Sequence, residues 1–330
     1  MKKTISIVLC LMMIVCIAAG CGKAGSGDTP RSEKISIVTT IFPEYDWVRQ
    51  ILGEKAADAD MTMLLDNGVD LHSYQPSASD ILKIGNCDLF IYVGGESDEW
   101  VEDTLATAKN ENMVVVNLLE ELGDAVKDEE IVEGMEAEHE KEESDEHEEE
   151  GSEKDEHVWL SLRNAAALCK VIAEKLGEVD GANKDVYTAN ANAYIEKLRA
   201  LDGQYKEAVA AAKTKTLLFG DRFPFRYLAD DYGLDYYAAF SGCSAESEAS
   251  FETIAFLAGK VDELGLSTIL QIESADGEIA GTIKETTKAK NQTILTLDSM
   301  QSTTAADIQN GASYLTIMEK NLEVLKDALQ

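Results

Sequence analysis

The amino-acid sequence predicts an α/β protein with two Rossmann-like lobes of mainly parallel sheet, joined by one long rigid helix. In both halves of the chain, short β-branched runs alternate with amphipathic helical stretches, a pattern typical of parallel sheets with covered faces. Between the halves, residues 185–213 keep one apolar stripe without proline, which predicts a helix of about 28 residues and about 42 Å. Roughly 300 residues follow the N-terminal apolar segment, and this exceeds one typical core.

The first lobe is predicted over residues 34–182. Its β-rich runs end at turn signals, such as those at 66–68 and 94–95, so each run is interpreted as a strand. The predicted elements are a strand over 35–41, a helix around 47–51, a strand over 61–65, a helix over 77–84 capped by Ser77 or Ser79, strands over 88–93 and 113–116, and a helix over 161–176.

A linking helix over residues 183–213 and a second lobe over 214–330 complete the prediction. The stripe of the linking helix consists of residues spaced by three, four and eight, namely Val186, Tyr194, Leu198, Leu201, Tyr205 and Val209. In the second lobe the sequence predicts strands over 216–219, 236–240, 268–272 and 293–297 and helices over 223–232, 251–264, 279–289 and 312–329. Cys87 and Cys169 lie among apolar residues and are predicted to fill the core.

The N-terminus has the pattern of a secretory signal. Two lysines precede an apolar run of about 13 residues, too short to span a bilayer, and small residues follow up to Cys21. This arrangement resembles a bacterial lipoprotein signal, although Ala18 stands where leucine is usual. We therefore expect a signal peptide over 1–20, lipidation of Cys21, a flexible tether over 21–33, and an extracytoplasmic protein anchored to the outer face of the cell membrane.

Strong negative charge limits the possible partners. The formal net charge is −33, so nucleic acid would be repelled and cations favoured. The charge is concentrated in a predicted loop over residues 124–156, which should be solvated and mobile because like charges cannot bury a core. Two histidines within this loop, His139 and His147, are interpreted as auxiliary collectors of metal ions.

Four polar residues lie in segments where ligands of open α/β sheets are expected, after strands. His72 follows the 61–65 strand, His157 ends the acidic loop, Asp221 follows the 216–219 strand, and Asp298 follows the 293–297 strand. Two imidazoles and two carboxylates form a closed four-ligand set suited to zinc or manganese.

The order of these motifs resembles a known family, the zinc- and manganese-binding lipoproteins that serve ABC importers, over residues 34–330. The matching segments are Thr39-Thr40-Ile41-Phe42-Pro43, His72-Ser73-Tyr74-Gln75-Pro76, residues 94–100, His157-Val158-Trp159-Leu160-Ser161, Tyr227-Leu228, Asp231-Tyr232-Gly233-Leu234 and Leu297-Asp298. The resemblance implies that His72 and His157 bind the metal from the first lobe and Asp298 from the second.

At the third ligand position this chain departs from the family, which has histidine or glutamate there. Counting back from Tyr232-Gly233-Leu234 without a gap places Arg222 at that position, and arginine cannot bind a cation. The neighbouring Asp221 is the favoured substitute, while Cys243, Glu246 and Glu248 from the loop after the 236–240 strand stay as alternatives.

The predicted function is that of a solute-binding protein without enzymatic activity. A metal held by four protein ligands is stored and handed over, not used for catalysis. We expect a monomer that captures Zn²⁺ and delivers it to an ABC permease for import. Mn²⁺ is the alternative metal, because two carboxylates suit it, whereas the histidine-bearing loop favours zinc. A secreted metallohydrolase and a surface adhesin are the other classes considered, and the sequence has no His-Glu-x-x-His motif that would support a hydrolase.

Overall fold

Two four-stranded sheets organise the chain, one in each lobe. The computed structural model describes residues 34–136, 153–244 and 248–330. All pairs of neighbouring strands in the two sheets are parallel. Residues 35–330 form one compact unit that contains both sheets. The predicted fold class is therefore confirmed.

The first sheet has the strand order β2-β1-β3-β4. Its strands are β1 Ile35–Thr39, β2 Ala59–Met63, β3 Leu89–Tyr92 and β4 Val114–Asn117, and the helices of this lobe are α1 Phe42–Leu52, α2 Ala78–Ile84, α3 Trp100–Ala106, α4 Leu118–Leu122 and α5 Leu162–Val179. Of the two predicted caps of α2, Ser77 is the one observed, in a capping box with Asp80. The short helices α3 and α4 were not predicted from the sequence.

The second sheet has the corresponding order β6-β5-β7-β8. Its strands are β5 Thr216–Phe223, β6 Asp235–Ser241, β7 Thr268–Gln271 and β8 Thr293–Thr296, and its helices are α7 Arg226–Tyr232, α8 Phe251–Leu264, α9 Glu278–Thr286, α10 Ala305–Gln309 and α11 Tyr314–Ala328. Helix α8 has the predicted bounds because Ser250 caps its start and Gly265 ends it with a left-handed φ of 64°.

The long linking helix is α6, Lys184–Ala210. It contacts α1 and α5 of the first lobe and α7 and α11 of the second. Five of the six predicted stripe residues are buried, but Val186 is 42% exposed and Tyr187 occupies the buried face instead. One residue along a helix rotates the side chain by about 100°, so the prediction for Val186 was wrong by one position.

Strand β5 is longer than predicted, which changes the setting of Asp221 and Arg222. The sequence predicts a turn after Phe219, whereas the strand continues to Phe223 and pairs again with β6 after a register shift between Phe219 and Arg222. Gly220 makes this possible, because a Cβ there would lie 2.6 Å from the Cα of Ala280 on α9. Asp221 and Arg222 therefore lie within a strand, and the predicted turn is wrong.

The two ends of the acidic segment pair with each other. Asp128 and Lys154 form an antiparallel bridge, and the N–H of Asp155 donates to the carbonyl of Lys127 over 2.9 Å. Farther along, the N–H of Glu136 donates to the carbonyl of Ala239 over 2.9 Å. The described start of the acidic segment thus reaches β6 of the second lobe.

Several predictions fall on residues outside the described ranges. These are the signal peptide, the tether, lipidation of Cys21, and the metal-binding roles of His139, His147 and Glu246. Within the described ranges, no helix has the length and apolar character needed to cross a membrane. Both core cysteines, Cys87 and Cys169, are fully buried as predicted.

Candidate metal site

His157 is held in one orientation by the residue two positions before it. It precedes a short 3₁₀ helix, Val158–Leu160, and its side chain is fully buried. The Asp155 carboxylate accepts the main-chain N–H of His157 over 2.9 Å and lies 3.0 Å from its Nδ1. With Nδ1–H donating to Asp155, the lone pair of Nε2 is left free to bind a metal.

Asp155 also determines the protonation of His157. Burial by itself would lower the pKa of the imidazole, but the Asp155 carboxylate, together with those of Glu156 and Asp70, outweighs burial and raises it. The main chain of Asp155 is fixed from the second lobe, because the hydroxyl of Tyr227 donates to its carbonyl over 2.7 Å. Tyr227, which lies in one of the segments that match the family, therefore helps to place a site residue.

His72 approaches from a loop of the first lobe. It lies in a 3₁₀ turn, Leu71–Ser73, whose N-cap Asp70 accepts the His72 N–H over 3.0 Å. The His72 Nδ1 lies 2.8 Å from Ser97 Oγ and 3.6 Å from Glu156 Oε2. Burial, reinforced by the imidazole of His157, lowers the pKa of His72 to about 3. His72 is therefore a neutral ligand at physiological pH.

The two imidazoles meet edge to edge. Their Nε2 atoms are 3.2 Å apart. In the tautomers that place both protons on Nδ1, the two Nε2 lone pairs point at the same small region. Two facing lone pairs repel each other, and a shared cation removes the repulsion. The structure brings His72 and His157 together as the sequence predicts.

A third donor at this point is the thiol of Cys243. One ligand atom each from His72, His157 and Cys243 lie within 4.8 Å of one another, and no other such group of three or more occurs among the described residues. Burial, together with the nearby Glu129 and Asp155 carboxylates, raises the pKa of the Cys243 thiol. A cavity of about 200 Å³ adjoins the group and is lined in part by Ser97, Glu129 and Glu156.

Arg222, which ungapped counting places at the family's third ligand position, has no lone pair to offer a cation. Its guanidinium pairs with the Asp70 carboxylate over 2.7 Å and donates to the carbonyl of Ser244 over 3.2 Å. Arg222 therefore connects the loop of His72 to the loop of Cys243. The Arg222 guanidinium more than offsets the burial of Asp70 and lowers the pKa of that carboxyl.

Asp221, the favoured third ligand, lies outside the donor group. Its Oδ1 accepts the N–H of Arg222 over 2.8 Å, and its Oδ2 accepts the N–H of Ile272 over 3.0 Å. Each carboxylate oxygen is thus engaged by the main chain. Asp221 shares the wall of a neighbouring cavity with His72, and burial raises its pKa.

Asp298, the predicted second-lobe ligand, follows β8 but is also outside the donor group. Its Oδ1 accepts the N–H of Met300 over 2.8 Å. Burial and the neighbouring Glu273 carboxylate raise the pKa of Asp298 to about 7. Glu248, an alternative ligand, is exposed before α8. The ligand roles of Asp221, Asp298 and Glu248 stay predictions.

A set of acidic side chains lies beside the imidazoles and was not predicted from the sequence. Glu156 Oε1 accepts the N–H of Ser97 over 2.9 Å, whereas its buried Oε2 accepts no hydrogen bond. Close approach of Glu156 requires Gly95, where a Cβ would lie 2.3 Å from Glu156 Oε1. Burial raises the pKa of Asp98 to about 7, with Glu156 contributing. The position of Glu156 before a buried histidine was the signal that could have identified it.

Comparison with known proteins identifies the family of the chain. Residues 37–328 match the family model of ZnuA, the periplasmic zinc-uptake complex component A. The chain belongs to the ZnuA family. The family prediction made from the ordered motifs is confirmed. This assignment covers both lobes and every residue of the candidate metal site.

Individual relatives support the same assignment. The chain is 33% identical over 326 residues to the zinc-binding lipoprotein AdcA of Streptococcus pneumoniae, covering 99% of this chain and 61% of that protein. It therefore spans less than two thirds of AdcA. It is 32% identical to the high-affinity zinc uptake system protein ZnuA of Bacillus subtilis, covering 95% of this chain and 94% of that protein.

Solved structures show the same fold. The Zn(II)-bound ZnuA-like domain of Streptococcus pneumoniae AdcA superposes with a TM-score of 0.69 at 30% identity, covering 90% of this chain and 99% of that chain. The metal-dependent lipoprotein YcdH of Bacillus subtilis gives a TM-score of 0.72 at 28% identity, with the same coverage.

Proposed function

We propose that this protein captures Zn²⁺ outside the cytoplasm and delivers it to an ABC permease for import. The observation that carries the proposal is the buried pair of imidazoles, His72 and His157, whose Nε2 atoms lie 3.2 Å apart. Zinc is commonly bound by neutral imidazoles at about 2.0–2.1 Å, so a single ion fits between the two nitrogens. Relatives named for zinc binding and zinc uptake support the choice of metal.

Binding and hand-over, without catalysis, is the proposed activity. The side chains of His72 and His157 are 8% and 0% exposed, and the donor group brings together residues of both lobes. With Asp298 as a fourth ligand, the metal would have no open position for a substrate. The family is one of metal-uptake components. Binding and transport are therefore proposed in preference to metal-dependent hydrolysis.

Anchoring through lipidated Cys21 and a monomeric state complete the proposal. The lipoprotein name of the pneumococcal relative supports an anchor. Both lobes pack in one chain, and His72, His157 and Cys243 all come from that chain, so the site needs no second copy. Asp298 is proposed as an oxygen ligand from the second lobe. Because burial and Glu273 raise its pKa to about 7, a bound cation displaces its remaining proton, which passes to solvent.

Titration of the mature protein, beginning at Cys21, with Zn²⁺ tests the function. We expect one tightly bound ion per chain and loss of that binding in the double variant His72→Ala, His157→Ala. The variant Glu196→Gln is the matched control, because its carboxylate is 70% exposed and pairs with Arg199 on the surface of α6. Unchanged tight binding in the double variant would contradict the proposal.

A further inference from the structure

The identity of the third ligand decides which metals the site prefers. Ungapped counting places Arg222 at the family's third ligand position, and its guanidinium has no lone pair to offer a cation. The adjacent Asp221 has both oxygens engaged by main-chain N–H groups at 2.8 and 3.0 Å. Asp221 also lies outside the group of donor atoms that meets at the imidazoles, so its binding to the same ion would require rearrangement of β5.

The end of the neighbouring strand supplies a donor without any such rearrangement. Strand β6 ends at Ser241, and Gly242 then passes directly against the ring of His157. A Cβ at residue 242 would lie 3.0 Å from His157 Cε1 and 3.0 Å from the carbonyl of Phe223. Only glycine permits this approach without displacement of its neighbours, and the approach places Cys243 beside the imidazoles.

Two polar contacts hold this loop in place. The N–H of Cys243 donates to Glu129 Oε1 over 3.0 Å. The carbonyl of the next residue, Ser244, accepts from Arg222, whose guanidinium also binds the Asp70 carboxylate. Asp70 in turn caps the 3₁₀ turn of His72. Arg222 thus fixes the two loops that carry His72 and Cys243.

We propose that Cys243 is the third metal ligand, as a thiolate, and that the resulting His72–His157–Cys243 set selects Zn²⁺ over Mn²⁺. This inference rests on the proposed function and deepens it. When the Zn–S bond forms, the S–H bond breaks and its proton passes to solvent. Thiolate is a soft ligand that favours zinc, whereas manganese prefers oxygen ligands and lies at the weak end of the divalent affinity order.

Zinc-edge X-ray absorption on the unmodified mature protein tests the ligand directly. With one equivalent of Zn²⁺ bound, we expect a sulfur neighbour at about 2.3 Å in addition to nitrogen or oxygen neighbours at about 2.0–2.1 Å. A spectrum with nitrogen and oxygen neighbours alone would overturn the proposal. This measurement needs no variant, so it stands even if a cysteine substitution prevents folding.

Variants then test selectivity. Loss of a residue that only supports a ligand weakens metal affinity by up to about 100-fold. Cys243→Ser removes the proposed ligand itself, so Zn²⁺ affinity should fall by at least about 100-fold, with Mn²⁺ affinity changed much less. With Co²⁺ as probe, the unmodified protein should show a thiolate-to-cobalt charge-transfer band that Cys243→Ser lacks. Asp221→Asn should keep both the band and the Zn²⁺ affinity.

The outcomes separate the two proposals. The cysteine ligand would be refuted if Cys243→Ser bound Zn²⁺ as tightly as the unmodified protein. It would also be refuted if the cobalt band disappeared in Asp221→Asn but persisted in Cys243→Ser. Either result would leave zinc capture intact. Failure of the unmodified protein to bind Zn²⁺ at all would refute the proposed function itself. An equal loss of Zn²⁺ and Mn²⁺ affinity in Cys243→Ser would refute the selectivity.

Discussion

Asp155 should control the strength of the site although it does not itself bind the metal. Its side chain is 2% exposed and accepts two N–H groups of His157, the main-chain N–H at 2.9 Å and, in the required tautomer, Nδ1–H at 3.0 Å. Asp155→Asn keeps a neutral acceptor and loses the charge. A charge-assisted hydrogen bond contributes about 1.5–3 kcal/mol and a neutral one about 0.5–1.5. The difference of about 1.4 kcal/mol predicts a tenfold weaker Zn²⁺ affinity.

A second substitution at the same residue gives a graded result. Asp155→Ala removes the acceptor as well as the charge, so we expect a loss near 100-fold, about 2.7 kcal/mol. Affinity should be measured at pH 7.5 by competition with a chromophoric chelator. The control is Glu196→Gln, which alters an exposed ion pair on α6 and should change affinity less than twofold.

Acidification provides an independent check on the sign. Asp155 raises the pKa of His157, so in the unmodified protein protons compete with zinc at a higher pH than in the variants. The variants should therefore lose less affinity between pH 7.5 and pH 6, and their deficit should shrink as pH falls. Affinity of Asp155→Ala within twofold of the unmodified protein at pH 7.5 would refute the orienting role of this carboxylate.

Three further predictions concern the surroundings of the site. Gly242→Ala places a Cβ 3.0 Å from the His157 ring. It should lower the free energy of unfolding by about 1–3 kcal/mol, measured by thermal melting, and weaken the cobalt charge-transfer band. An unchanged band in the absorption spectrum would contradict this prediction. Deletion of residues 137–152, which include His139 and His147, should keep one tight Zn²⁺ and remove only weaker ones in a titration; loss of the tight ion would contradict it. The pKa of Asp98 is raised to about 7 by burial, so the stability that it contributes is fully present below its unfolded pKa and is lost as pH rises from there through 7. Metal-free Asp98→Asn should therefore exceed the unmodified protein in melting temperature by more at pH 8 than at pH 5, and an equal difference at both pH values would contradict this.

The alternation of strands and helices could be predicted because each element carries a local signal. Ser77 and Gly265 are examples, since a cap and a left-handed glycine define helix ends through contacts within a few residues. His72 and His157 could be predicted for a similar reason. Each lies in a short motif next to buried apolar residues.

The third ligand could not be determined from the sequence, because it depends on where two loops meet in space. The length of β5 depends on pairing with β6 beyond a register shift, and this keeps Asp221 within the strand. The nearness of Cys243 depends on the absent side chain of Gly242 and on the contacts of Arg222 with Asp70 and Ser244. These are tertiary contacts between distant segments, and no local propensity specifies them.

The central claim is that a single zinc ion lies between the two imidazoles. An anomalous difference map, calculated from a crystal of the zinc-loaded mature protein at the zinc absorption edge, tests this claim most directly. We predict one dominant peak about 2.0–2.1 Å from Nε2 of both His72 and His157. A dominant peak that contacts neither imidazole would contradict the claim.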